Sequence, residues 1–439
     1  MSSSPLDKAA PVPAQPAPDA ERSVPAGRFA WFRALGPDGR RAFYGAYGGY
    51  GLDSYDFYVL PLSMAAIGAY FSLDNGRTGL LTTVTLVVSA LGGALAGAFA
   101  DRIGRVRALV WTVGVYAVFT VACGFAPNFE TLLVFRALQG LGFGGEWAVG
   151  AVLVAEYASR EHRGRTLGWI QSAWAVGWAL AVLVYTVVYN LAGDDLAWRV
   201  LFFTGALPAL LVLYVRRSVH DAPVAERQRA AGGGPSALGG LLHVFRGRLL
   251  RTTVLAALMS TGVQGGYYTL ATWIPKYLHD ERGLSVTGVG GFLIVQIVGA
   301  FAGYVTGAHL ADRLGRRRTI QTFAVLSALC VVGYAQVPAG WEEITLLLGF
   351  PLGFCMSAIF SSFGSFLAEL YPTRVRATGQ GFTYNVGRGI GAVFPTLVGY
   401  LSQSWGVGGA LVFAAAGYAL AFVCLFGLPE TRGIELSEA

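Results

Sequence analysis

One eleven-residue stretch occurs twice in this chain. Gly97-Ala98-Phe99-Ala100-Asp101-Arg102-Ile103-Gly104-Arg105-Val106-Arg107 returns as Ala308-His309-Leu310-Ala311-Asp312-Arg313-Leu314-Gly315-Arg316-Arg317-Arg318, 211 positions later. In each copy a long apolar run stops at Asp-Arg, turns on a Gly, adds Arg and gives way at once to another apolar run. A segment of that kind joins two membrane-crossing helices by a tight basic turn, and two copies mean two related halves. A second pairing supports the alignment: Glu156 to Arg163, followed by Gly168, matches Glu369 to Arg376, followed by Gly381, at an offset of 213.

The composition agrees with a lipid solvent. Of 439 residues 54% are hydrophobic and 13% charged, about half the charged fraction of a soluble protein. The net charge of +7 does not point to nucleic acid, because its placement is one-sided. Of 32 Lys and Arg, 26 lie in the two tails and the five loops on one side, Arg136 and Arg388 fall inside apolar runs, and four lie near the other side. That asymmetry places both termini in the cytoplasm and the chain in the inner membrane. All four cysteines lie in apolar runs, which suggests neither a disulfide framework nor a metal site, and no cofactor is implied.

Twelve spans are expected, at about 43–70, 79–99, 108–126, 131–157, 166–190, 198–215, 252–278, 286–310, 319–337, 342–370, 378–401 and 407–427. Residues 1–42 form an N-terminal tail that is mostly too polar and Pro-rich to bury a core. The other parts are a first half over 43–215, a linker over 216–251, a second half over 252–427 and a tail over 428–439.

The Gly-x-x-x-Asp-Arg-x-Gly-Arg turn and its echo resemble the loops between helices 2 and 3 and between helices 8 and 9 of the major facilitator superfamily of secondary transporters. The resemblance implies an all-α membrane protein of twelve transmembrane helices in two pseudo-symmetric six-helix halves, working as a monomer. Pro429-Glu430-Thr431-Arg432-Gly433 resembles the ending of the sugar porters and their metabolite:proton symporter relatives. His220-Asp221-Ala222-Pro223 departs from the Pro-Glu-Ser-Pro usual in the sugar-porter branch.

Charge inside a span costs about 2.5–3.5 kcal/mol on insertion scales and needs a partner or a task. Asp53 and Asp56, three apart on one face of span 1, cannot both be ionised cheaply, so one of them can hold and carry a proton. Their surroundings are similar to the first helix of sialate and lactate proton symporters, and more loosely to that of aromatic-acid symporters. Arg136 to Trp147 resembles the span 4 signature of proton-coupled members, which makes Arg136 and Glu146 candidates for coupling. Gly140 and Gly144 there read as a close-packing face.

In span 11, Asn385 and Arg388 share a face near mid-membrane, where a guanidinium can grip a carboxylate through two parallel hydrogen bonds. Gln171, Trp174 and Trp178 on span 5, and Gln264, Tyr267 and Tyr268 on span 7, are candidates to line a cavity between the halves, although ordinary packing also accounts for the aromatics. Asp101, Arg102 and Arg105 with Glu156 and Arg163, and Asp312 and Arg316 with Glu369 and Arg376, resemble latches that close the cytoplasmic gate.

The expectation is a proton-coupled importer of a small organic anion: a monocarboxylate, sialate or an aromatic acid. A neutral-sugar carrier and a drug:proton antiporter are the alternatives, the latter disfavoured because Trp174 to Leu183 contains no proline. No hydrolase, zinc-protease or phosphate-loop motif argues for an enzyme.

Overall fold

The computed structural model describes residues 30–157, 163–209, 243–372 and 375–432. Most of the expected linker, the first 29 residues and the last seven therefore lie outside the described residues. Fourteen α-helices are described: α1 (Ala30–Ala34), α2 (Gly36–Tyr70), α3 (Asn75–Ile103), α4 (Arg105–Gly124), α5 (Phe129–Tyr157), α6 (Arg163–Leu191), α7 (Asp194–Phe203), α8 (Arg248–Asp280), α9 (Val286–Leu314), α10 (Arg316–Ala335), α11 (Glu342–Glu369), α12 (Arg376–Gly391), α13 (Val393–Leu411) and α14 (Phe413–Leu425).

The first half packs α3 and α4 on α5, and α2 on α6; the second repeats this with α9 and α10 on α11, and α8 on α12. Helix α2 starts at Gly36, seven residues before the expected edge of span 1. Its first turns are held because Trp31 and Phe43 are buried and Trp31 stacks on Trp169 of α6 at 6.0 Å. Span 11 is α12 continued by α13 as far as Trp405. Gly406, at φ 70°, breaks the helix to start span 12, and the Glu281 carboxylate accepts from the freed Val407 and Gly408 N–H groups there.

The two repeated turns have one geometry. Gly104 joins α3 to α4 at φ 104°, ψ 153°, and Gly315 joins α9 to α10 at φ 98°, ψ 155°. A side chain is strained in that region, which is why both copies of the motif carry Gly there. Gly140 and Gly144 seat α5 on α3, since a Cβ at either would run into the backbone of Thr85 or Ser89.

Six of the helices are long and apolar enough to cross a membrane, or seven if the bent pair at Val412 is one span. Helices α2 and α8 fall short of that measure. They carry the buried Asp53, Asp56 and Gln264.

The halves meet through α6 with α9, α3 with α12 and α13, and α2 with α8. At the end of the bundle away from the basic turns the contact is tight: Asn75 Nδ2 donates to Ser402 Oγ at 2.9 Å, and the Thr83 hydroxyl reaches Ala392 O and Thr396 Oγ at 2.6 and 2.7 Å. Gly79 of α3 lies flat on α13, where a Cβ would stand 2.8 Å from Pro395 O, 3.1 Å from Thr396 Cα and 3.1 Å from the Trp273 ring. All three atoms belong to the other half. Gly79→Ala should therefore leave each half intact while opposing closure at this end, and accessibility of a cysteine placed at Ser402 to an impermeant thiol reagent should rise. Unchanged labelling would show that the backbones can yield.

Candidate functional site

Three helices of the first half bury an ionic cluster. Asp56 on α2 and Arg136 and Gln139 on α5 are each 1% exposed, and Thr120 on α4 is fully buried. Arg136 Nη1 donates to Gln139 Oε1 at 2.5 Å; Gln139 Nε2 donates to Asp56 Oδ2 and, at 2.7 Å, to Thr120 Oγ; the Thr120 hydroxyl donates to Asp56 Oδ1. The amide thus bridges acid and base. Arg136 and Gln139 are three apart and share a helix face, so Gln139 was within reach of the sequence motif. Thr120 carried no signal of its own. Asp53, one turn from Asp56, is also buried. The side chain of Glu146 lies outside the described residues.

Chemically, the cluster pairs a fixed cation with a carboxylate that can gain or lose a proton. Protonation of Asp56 removes the counter-charge from Arg136, and an uncompensated buried charge is costly by several kcal/mol.

The second constellation lies between the halves and consists of aromatic rings around one cation. From the first half come Tyr50, Phe57, Phe143 and Trp174; from the second, Tyr267, Tyr268 and Tyr384, all buried. Phe57 contacts Trp174 at 5.7 Å, Tyr268 at 5.8 Å and Phe143 at 6.2 Å, and Tyr50 contacts Trp174 at 5.1 Å. Arg388, 5% exposed, holds its guanidinium between the Phe143 and Tyr384 rings, 5.7 and 5.0 Å from their centroids. Its Nη2 donates to Tyr384 Oη at 3.1 Å. Nε and Nη1 are buried and make no hydrogen bond among the described residues, although the Tyr268 side chain stands nearby.

Candidates named from the sequence take several roles. Trp174 Nε1 donates to Tyr267 Oη at 2.6 Å, and Tyr58 Oη lies 3.1 Å from the same oxygen, so spans 1, 5 and 7 meet at one hydroxyl. Trp178 stacks on Tyr58 at 4.4 Å. Gln264 braces the box from behind, donating to Tyr384 O at 2.9 Å and accepting from Tyr268 Oη at 3.4 Å. Gln171 reaches across to Phe360 O at 3.3 Å. Asn385 donates to Gly381 O of its own helix at 2.9 Å and abuts Gly93 of α3. Tyr50, Phe57, Phe143 and Tyr384 were not singled out from sequence, because a buried aromatic in a span ordinarily means packing.

At the basic end, Arg316 pairs with Asp312 at 3.3 Å and with Glu369 at 3.4 Å, and Arg376 Nε donates to Ala368 O at 3.1 Å. The C-terminal motif joins this set: Thr431 Oγ donates to Glu369 Oε2 at 2.5 Å, and the Glu430 carboxylate accepts from the Arg317 and Arg318 N–H groups at the start of α10. An acid there suits the helix N-terminus. Their counterparts Asp101, Arg102, Arg105, Glu156 and Arg163 have side chains outside the described residues. A separate, small crevice opens between α9 and α11, lined by His309, Asp312, Arg316 and three serines. It has no aromatic wall, and two acids already face its one Arg.

The family described as Major Facilitator Superfamily matches residues 46–394 and 308–438. The chain is 40% identical over 409 residues to the "Probable 4-methylmuconolactone transporter" of Cupriavidus pinatubonensis, covering 93% of this chain and 94% of that one. It is 29% identical over 382 residues to the "Cis,cis-muconate transport protein" of Acinetobacter baylyi, covering 85% and 89%. Among solved structures, a D-xylose-proton symporter superposes with a TM-score of 0.72 at 20% identity, covering 90% of this chain and 99% of that one.

Proposed function

Because the chain belongs to the Major Facilitator Superfamily, we propose that it imports a small planar organic anion together with protons, the two halves alternating access around the Arg388 box. The observation that carries this reading is Arg388, a buried guanidinium whose neighbours are the Tyr384 and Tyr268 hydroxyls and no carboxylate among the described residues, set among flat aromatic faces. A carboxylate supplies both the missing charge and two acceptor oxygens, and a planar unsaturated body suits the rings. Two relatives are described as carrying 4-methylmuconolactone and cis,cis-muconate, both unsaturated acids or their derivatives.

Proton coupling rests on the Asp56, Gln139 and Arg136 cluster, which can exchange one proton without reaching the substrate. Asp53 and Glu146 remain candidate second carriers, and the salt bridges of Arg316 are the candidate gate on the basic face. With that face cytoplasmic, as the positive-inside rule directs, the tight seal around Gly79 closes the outer entrance. The protein is then closed outward.

Uptake into proteoliposomes tests the reading. Under an inward pH gradient, the purified protein should accumulate a muconolactone, a muconate or an aromatic monocarboxylate, and a protonophore should abolish the accumulation. Transport of a neutral sugar with no response to any carboxylate would overturn it.

A further inference from the structure

Thr120 stands where three hydrogen bonds meet. Its Oγ is placed to donate both to Asp56 Oδ1 and, at 2.9 Å, to Tyr116 O, and it accepts from Gln139 Nε2 at 2.7 Å. A hydroxyl has one proton and two lone pairs, so the two donated bonds belong to two states. With Asp56 ionised, the Thr120 proton points to Oδ1. With Asp56 protonated on Oδ1, the acid donates to Thr120, Thr120 turns its own proton to the Tyr116 carbonyl, and Gln139 still donates to Oδ2. Every donor keeps an acceptor in both states, and no heavy atom has to move.

The rotamer is fixed from outside. Gly205, after α7, lies against the Thr120 side chain, and a Cβ there would stand 2.8 Å from Thr120 Cβ and 3.7 Å from Asp56 Oδ1. Among the described residues, the titratable groups beside Asp56 are Asp53 and Tyr55 on its own helix, Cys123 on α4 and Arg136 on α5, and the turn after α7 brings Thr204 and Gly205.

We propose that Thr120 is the second half of the proton site, a positioning residue whose hydroxyl reverses its role as the proton arrives and holds Asp56 in both charge states. This rests on the proton-coupled reading above. All that the proton changes is then the charge opposite Arg136, and that change is what the conformational cycle senses.

The test compares Thr120→Ser and Thr120→Val in the full-length protein in proteoliposomes, with 4-methylmuconolactone or cis,cis-muconate, whichever the unaltered protein takes up, as substrate. Thr120→Ser should keep pH-driven accumulation within about twofold of the unaltered protein. Thr120→Val should lower it at least tenfold while substrate exchange at equal pH stays within a few-fold, because the Arg388 box is untouched. Infrared difference spectra on acidification supply a second readout: the carboxylic C=O band that Asp56→Asn removes should keep its frequency in Thr120→Ser and move up in Thr120→Val. Full accumulation by Thr120→Val, equal losses in both variants, or an unmoved band in Thr120→Val would overturn the role of the hydroxyl. No pH-driven accumulation by the unaltered protein would instead overturn the proton-coupled reading itself.

Discussion

Arg388→Gln is expected to weaken carboxylate binding by about 3 kcal/mol, more than a hundredfold, as removal of one member of a buried charge pair does elsewhere. Gln keeps a polar end but has neither the charge nor the fork of donors. Arg388→Lys keeps the charge, loses the planar group between the Phe143 and Tyr384 rings, and should fall between the two. Binding of the transported carboxylate to purified protein, by calorimetry or by thermal shift, measures both. If Arg388→Gln folds, inserts and binds the acid unchanged, the guanidinium only packs the interface and the neutral-sugar alternative moves ahead.

Asp56→Asn should abolish accumulation against a gradient and leave exchange of substrate across the membrane largely intact. The amide can place its NH₂ group where Oδ1 stands, donating to Thr120, and its oxygen where Oδ2 stands, accepting from Gln139. The variant thereby imitates the loaded acid and cannot unload. Asp53→Asn is the informative partner, since both carboxylates are buried on α2 but Asp56 is the one joined to Arg136 through Gln139. Accumulation should survive in Asp53→Asn. If both variants concentrate substrate under a pH gradient, the proton is carried elsewhere, and Glu146 becomes the next candidate.

The lipid solvent, the two-fold repeat and the turns were legible in the sequence. Those properties are local: apolar length makes a span, clustered Arg marks one face, and a backbone at φ near 100° at Gly104 and Gly315 asks for Gly within a single turn. Arg388 was equally legible, because a charge ten residues into a span stands out against its neighbours. Which polar groups meet depends on how distant segments pack. Gln139 is 83 residues from Asp56, and Tyr58 is 209 from Tyr267, and neither separation leaves a periodic trace. The aromatic box stayed hidden for a further reason. A Phe or Tyr in a membrane helix faces lipid, core or ligand with the same side chain, and only the packing of one half against the other shows that Phe143 and Tyr384 flank a guanidinium rather than each other.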